Sequence, residues 1–181
     1  GFQHKDTMYM YLSSLMRTGD GAWDFKGTGR DLWGKVTVPD MKVVKYTELP
    51  SFNDINFGCG YVEDKAKGIV YAFGYKGDYI ESNVFVARFS SSNPNSGWTF
   101  WNGRAWDGNV MHVKPIGRGA SNSVYVCKVK NKYVLVTSEF SVDCDMGKKI
   151  YVSTADQPTG PFSKRKEIYS IDEREQGHSP F

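Results

Sequence analysis

The chain has 181 residues, 24% of them charged, and a formal net charge of +3. That length suits one domain with a core of its own, and the small, dispersed charge offers no basic face for nucleic acid. No apolar run reaches the length of a membrane span, and Cys59, Cys127 and Cys144 fit no zinc or redox spacing, so they read as free thiols.

Aromatic residues make up 15% of the chain, which favours strands and tight turns over helices. From the N-terminus, Thr7–Leu12, Leu32–Val38 and Met41–Tyr46 read as second, third and fourth strands of an incomplete unit. Between the first two lies a Gly-rich loop, residues 18–27, that carries Trp23 and Phe25. The next unit is complete. Ile55–Val62, Ile69–Gly74, Asn83–Phe89 and Gly97–Trp101 read as four strands separated by polar turns.

The same order returns in Ser123–Val129, Tyr133–Thr137, Lys149–Thr154 and a last strand ending near Ile168 and Tyr169. Gly177–Phe181 reads as the start of one more first strand. Several of these strands, Ile69–Phe73 and Tyr133–Val136 among them, are almost continuously apolar. A sandwich strand with one wet face alternates instead, so both faces here need cover. Blades stacked around an axis provide it.

The expected fold is therefore all-β, a β-propeller of four-stranded blades. The units divide as full blades over 51–108 and 117–170, with remnants over 1–50 and 171–181. About three blades do not close a ring. The expectation is a piece of a longer chain, where five such blades need roughly 320 residues, or self-association through open blade edges.

Val70–Gly74, Val84–Arg88, the phrase Trp98–Trp106, and Lys132–Thr137 followed by Ser153–Phe162 resemble five-bladed propellers of the glycoside hydrolase-like superfamily of arabinanases, β-xylosidases and invertases. The nearest likeness is to uncharacterised secreted bacterial members. The resemblance implies a carbohydrate partner, an extracytoplasmic location (secreted, periplasmic or cell surface), and a sugar site on one rim of the propeller. It implies no cofactor, apart from an ion on the axis near a histidine such as His178.

That rim collects the loops after second strands and those leading into the next first strand. It holds Asp54 and Asn56, then Arg118, Ser121, Asn122 and Ser123, then His178. The loops after second strands add Trp23, Glu81, Glu139 and three more acids, Asp78, Asp143 and Asp145. Glu63, Asp64, Asp156 and the Ser90–Gly97 turn fall on the opposite rim and read as solvated.

Glycoside hydrolysis uses two carboxyls, about 5–5.5 Å apart for retention and about 6.5–9.5 Å for inversion. Asp54 and Glu139 are the candidates for catalysis. Asp54 has a second reading as a turn-capping residue. Glu139, after a buried strand, reads as an acid of raised pKa or as half of an ion pair. Asn56, Trp23, Arg118, Asn122 and His178 are candidates for substrate binding. No metal-ligand spacing is present. Visible first-strand starts offer at most one acid, so a non-catalytic glycan binder and a protein-interaction scaffold remain as alternatives.

Overall fold

The computed structural model describes residues 1–77, 81–140 and 147–171. Three antiparallel sheets follow one another along the chain. The first contains β1 (Phe2–His4), β2 (Thr7–Arg17), β3 (Phe25–Thr37) and β4 (Val43–Glu48), in that order. The second contains β5 (Asn56–Asp64), β6 (Ile69–Gly77), β7 (Ser82–Ser90), β8 (Thr99–Trp101) and β9 (Trp106–Asp107), and β10 (Gly117–Gly119) joins it on β7. The third contains β11 (Val124–Val129), β12 (Lys132–Ser138), β13 (Lys149–Ala155) and β14 (Lys166–Ser170).

Three stacked sheets with consecutive strands paired are the expected propeller blades. Two details differ from the sequence reading. Residues 1–50 form a complete four-stranded blade, because Phe2–His4 pairs with Thr7–Tyr9 through a tight turn at Lys5 and Asp6. Residues 117–119 belong to the middle blade rather than the third, since Gly117 pairs with Val84 and Gly119 with Ser82. The short β9 follows β8 through a turn fixed by Asn102, whose Oδ1 accepts from the Arg104 and Ala105 amides at 3.0 and 2.8 Å.

The middle blade explains its own unbroken apolar strands. Val70, Ala72, Phe85, Ala87 and Phe89 pack toward the first blade. Their neighbours Tyr71, Phe73, Val84 and Val86 pack toward the third. Successive side chains of a strand point to opposite faces, so a strand buried on both sides must be apolar throughout.

The innermost strands converge. β5 lies against β1 and β2 on one side and against β11 on the other. The approach to β11 is so close that a Cβ on Gly60 would stand 2.0 Å from the Val126 carbonyl oxygen. Gly60 also holds φ at 154°, which glycine tolerates best.

Strand order fixes two rims. The β2–β3, β6–β7 and β12–β13 connections, with the links between blades, form an upper rim. The β1–β2, β5–β6 and β11–β12 turns, with the β3–β4, β7–β8 and β13–β14 turns, form a lower one. On the upper side, the first blade carries an arm. Past Ser13 and Asp31 the β2–β3 ladder bulges and continues through Leu15 opposite Gly27, Met16 opposite Lys26 and Arg17 opposite Phe25. β1 reaches only Tyr9 and β4 only Leu32, so among the described residues no third strand flanks this hairpin.

Candidate functional site

The best-connected part of the upper rim lies where the first blade meets the second. Ser13 Oγ donates to Asp31 Oδ1 at 3.1 Å, across the β2–β3 ladder. Tyr11, two residues before Ser13 and so on the same face of β2, directs its hydroxyl to the Asp31 carboxylate as well. The same hydroxyl accepts from the Phe57 amide at 3.3 Å. Asn56 completes the group, with Nδ2 3.5 Å from Ser13 Oγ and Oδ1 accepting from the Gly58 amide at 2.8 Å.

Burial pushes the Tyr11 phenol far above its ordinary pKa, and its hydrogen bond to Asp31 and the Asp31 charge push the same way against the Phe57 amide. A phenol held protonated is a fixed donor, and Asp31 is its acceptor. The arrangement is a polar cluster at the foot of the hairpin arm, with a carboxylate, two hydroxyls and an amide on one site.

Between the second and third blades the rim is tied by serines. Ser82 Oγ donates to the Ser121 carbonyl at 2.6 Å, and Ser121 Oγ to the Ser138 carbonyl at 2.7 Å. Ser82 and Ser121 are buried, so these bonds satisfy groups that would otherwise be costly. Arg118 extends above them and donates from Nη1 to Glu81 Oε1 at 3.0 Å. Both side chains are half or more exposed, so the pair is a surface one. Asn122 is half-buried just before β11.

Glu139 closes the base of the β12–β13 connection. Its Oε2 accepts from the Lys148 and Lys149 amides at 3.0 and 3.2 Å, and its Oε1 accepts from the Tyr151 hydroxyl at 2.5 Å. Partial burial alone would raise this carboxyl. The Tyr151 hydroxyl, the two amides and the Lys149 charge outweigh it, and the net direction is down. Of the two readings, the acid of raised pKa is not what the surroundings favour: they favour the ionised form, and the carboxylate ties the end of β12 to the start of β13.

Asp54 sits in the turn before β5 with φ at 60°. Its carboxyl is 84% exposed and stands 3.6 Å from Lys76 Nζ, which also donates to the Asn53 carbonyl at 2.7 Å. Among the described residues its carboxyl accepts no backbone amide, so Asp54 is a turn residue beside a lysine without a side-chain cap. Among the described residues no hydrogen bond or ion pair joins Asp54 to Glu139. His178, the residue expected near an axial ion, and Asp78, Asp143 and Asp145 lie outside the described residues. Among the described residues, no three His, Cys, Asp or Glu side chains gather around a metal position.

Trp23 stands at the tip of the arm, 89% exposed, with Phe25, Met16 and Leu15 also exposed behind it. The tip is held by Asp24, whose carboxylate accepts from the Gly21 amide at 2.7 Å, and by Arg17, which donates to the Gly19 carbonyl at 2.8 Å. Arg17 also lies over the Phe25 ring, 5.9 Å from its centroid. Trp98, by contrast, is buried in blade-to-blade packing, as its sequence position suggests.

Residues 1–180 match the family described as a domain of unknown function, DUF5005. The chain belongs to that family. No curated protein sequence matches it. Among solved structures, an exo-β-1,3-galactanase from Phanerochaete chrysosporium, crystallised with galactose, aligns at a TM-score of 0.51 and 12% identity. The alignment covers 90% of this chain and 33% of that one. A thermostable family-43 glycoside hydrolase aligns at 0.44 and 16% identity, over 87% of this chain and 50% of that one.

The DUF5005 chain therefore spans a third to a half of the length of these structures. What it shares with the galactanase is the fold, a β-propeller. Sequence reasoning missed Tyr11, Ser13 and Asp31 as rim residues. The signal was present in part. Ser13 directly follows the apolar run Met8–Leu12 and Asp31 directly precedes Leu32 and Trp33, so each is a polar group at the edge of a packed stretch and calls for a polar partner.

Proposed function

We propose that this DUF5005 chain is part of a carbohydrate-active propeller that holds a poly- or oligosaccharide on its upper rim, outside the cytoplasm. The observation that carries the reading is the hairpin arm. An indole 89% exposed at the tip of a hydrogen-bonded hairpin gives up hydrophobic free energy unless something covers it. The apolar face of a sugar ring is a suitable cover. The Tyr11–Asp31–Ser13–Asn56 cluster at the foot of the arm offers the hydroxyl-matching donors and acceptors that orient a sugar. The fold shared with a galactan-acting enzyme points to the same ligand class.

Hydrolysis is the reaction class this fold suggests, with Asp31 joining Asp54 and Glu139 as the carboxyls to examine. A second reading, a binder without hydrolysis, is favoured by a specific observation: Glu139 is committed to Tyr151 and two amides, and Asp54 to Lys76. One pair of experiments separates the readings. Glycan-array binding and reducing-sugar release are measured on the full-length protein, with Trp23→Ala and Asp31→Asn alongside. Both variants are expected to lose glycan binding. Sugar release that Asp31→Asn abolishes supports the enzyme. Binding without release supports the binder. Silence in both assays overturns the carbohydrate reading.

A further inference from the structure

The lower rim holds a cavity that the upper-rim reading does not use. It has a volume of about 690 Å3 and lies where the first two blades meet. Gln3 and His4 of β1 and Lys5 of the turn after it line one side, Glu63 of β5 with Lys65 and Gly68 of the following turn another, and Ser91, just past β7, the floor. From sequence, Glu63 and this part of the rim read as solvated turns. The structure draws them into one concave site.

Three features point to a ligand. Ser91 is only 4% exposed, lines the cavity, and its Oγ has no hydrogen-bond partner among the described residues. A buried hydroxyl without a partner costs on the order of 1–3 kcal/mol, and native proteins seldom leave one unfilled. Next, the ammonium groups of Lys5 and Lys65 form no ion pair among the described residues, although other lysines in the chain do. Lys5 also holds φ at 53°, a turn position that glycine fills at lower cost. Finally, His4 Nδ1 stands 3.5 Å from Glu63 Oε1, and both are largely buried, so two close polar groups face the same space.

We propose that this cavity binds a small hydroxylated anion, a sugar acid or a sugar phosphate. Lys5 and Lys65 meet the anionic group. Ser91, Gln3 and His4 supply further hydrogen-bonding groups, and Glu63 accepts from ligand hydroxyls. The carboxylate explains why a bare inorganic anion fits less well: it repels an anion and attracts a hydroxyl. The proposal stands independently of the upper rim.

The test is calorimetric titration of the full chain with glucuronate, glucose 6-phosphate and glucose, on the wild type and on Lys5→Ala, Lys65→Ala and Ser91→Ala. At least one of the two anions is expected to bind saturably, and the tighter one tells carboxylate from phosphate. Glucose is expected to be silent. Each lysine variant weakens binding by about tenfold and Ser91→Ala by about fivefold, the sizes of a charged and a neutral hydrogen bond. Added salt weakens it as well. Both lysines are on the surface, so their variants are expected to melt like the wild type and to keep upper-rim glycan binding. No saturable binding of either anion, binding as tight for glucose, or affinities unmoved in all three variants would overturn the proposal.

Discussion

The two interfaces on either side of the middle blade do the same job with different materials. The first is aromatic. Phe2, Trp33, Phe52, Phe57, Phe89, Trp98 and Phe100 fill it, with Trp33 touching Phe2, Tyr9, Tyr11, Tyr61, Phe89 and Trp98 at ring-centroid distances of 5.5–6.3 Å. The second is mostly aliphatic, with Val84, Val86, Val124, Val126 and Leu135 around Tyr71, Phe73 and Tyr133. The difference follows from separation. Near the axis, β5 and β11 meet backbone to backbone at Gly60, so only small residues fit there. Toward the first blade, rings fill the space beside β5.

The first interface also carries polar ties that the rings require. The Trp33 and Trp98 indoles both donate to the Pro94 carbonyl, at 3.0 and 2.9 Å. One oxygen with two lone pairs therefore links β3 of the first blade to the turn after β7. Trp33→Ala removes six ring contacts and one of these bonds from a residue 1% exposed. It is expected to cost about 4 kcal/mol, read as a fall in the denaturant midpoint. A loss under about 1 kcal/mol would mean the first interface is not the cooperative core it resembles.

At the second interface the corresponding test is close packing rather than lost volume. Gly60→Ala forces a methyl against the Val126 carbonyl and strains φ, and is expected to cost about 3 kcal/mol. Val126→Ala, which only empties space, is expected to cost about 2 kcal/mol. If Gly60→Ala proves milder than Val126→Ala, β5 and β11 are not in backbone contact, and the convergence at the axis fails with them.

These contrasts show which parts of the molecule were legible in sequence. The central strands of the middle blade, β6 and β7, were readable because burial on both faces writes itself as a nearly unbroken apolar run, whereas the short β9 and β10 were not. Nor was the first strand of the first blade. Phe2–His4 is three residues long and carries no period, and its place is set by pairing with Thr7–Tyr9 and by Phe2 stacking on Tyr9 at 5.0 Å. The rim was legible as a set of loops, since connectivity alone sorts loop ends. Which rim side chains meet was not. Asn56 meets Ser13 across 43 positions of sequence, and Arg118 meets Glu81 across 37. Glu139 shows the limit most clearly. Its partner Tyr151 lies on the neighbouring strand, and that hydroxyl reverses the direction expected from burial.

Glu139 sets a smaller prediction, confined to the third blade. Its carboxyl lies below the ordinary value of 4.5 in the folded protein. A depressed carboxyl contributes stability above its unfolded value, and that contribution is lost as pH falls through the lower folded value. Stability of the wild type is therefore expected to drop on acidification below about 4.5, and Glu139→Gln to drop less steeply. Parallel acid limbs for the two proteins, followed by urea midpoints, would remove Glu139 from the account of the loop.

The smallest effect on stability is expected from the most conspicuous side chain. Trp23 and Trp33 are ten residues apart, on the tip and the inner face of one hairpin, and they are 89% and 1% exposed. Burial decides what each contributes to folding. Trp33 is enclosed by rings, whereas Trp23 gains nothing from the folded state that the unfolded chain lacks. Trp23→Ala is thus expected to change the urea midpoint by less than about 0.5 kcal/mol equivalent. The hydrogen bonds of the tip, from Gly21 to Asp24 and from Arg17 to Gly19, do not involve the indole, so the hairpin keeps its shape without it. The same variant is expected to abolish glycan binding. A tryptophan whose removal costs binding and not stability is a contact residue. If instead Trp23→Ala lowers the midpoint by more than about 1 kcal/mol, the indole is covered by protein in solution and the arm belongs to the packing of the propeller.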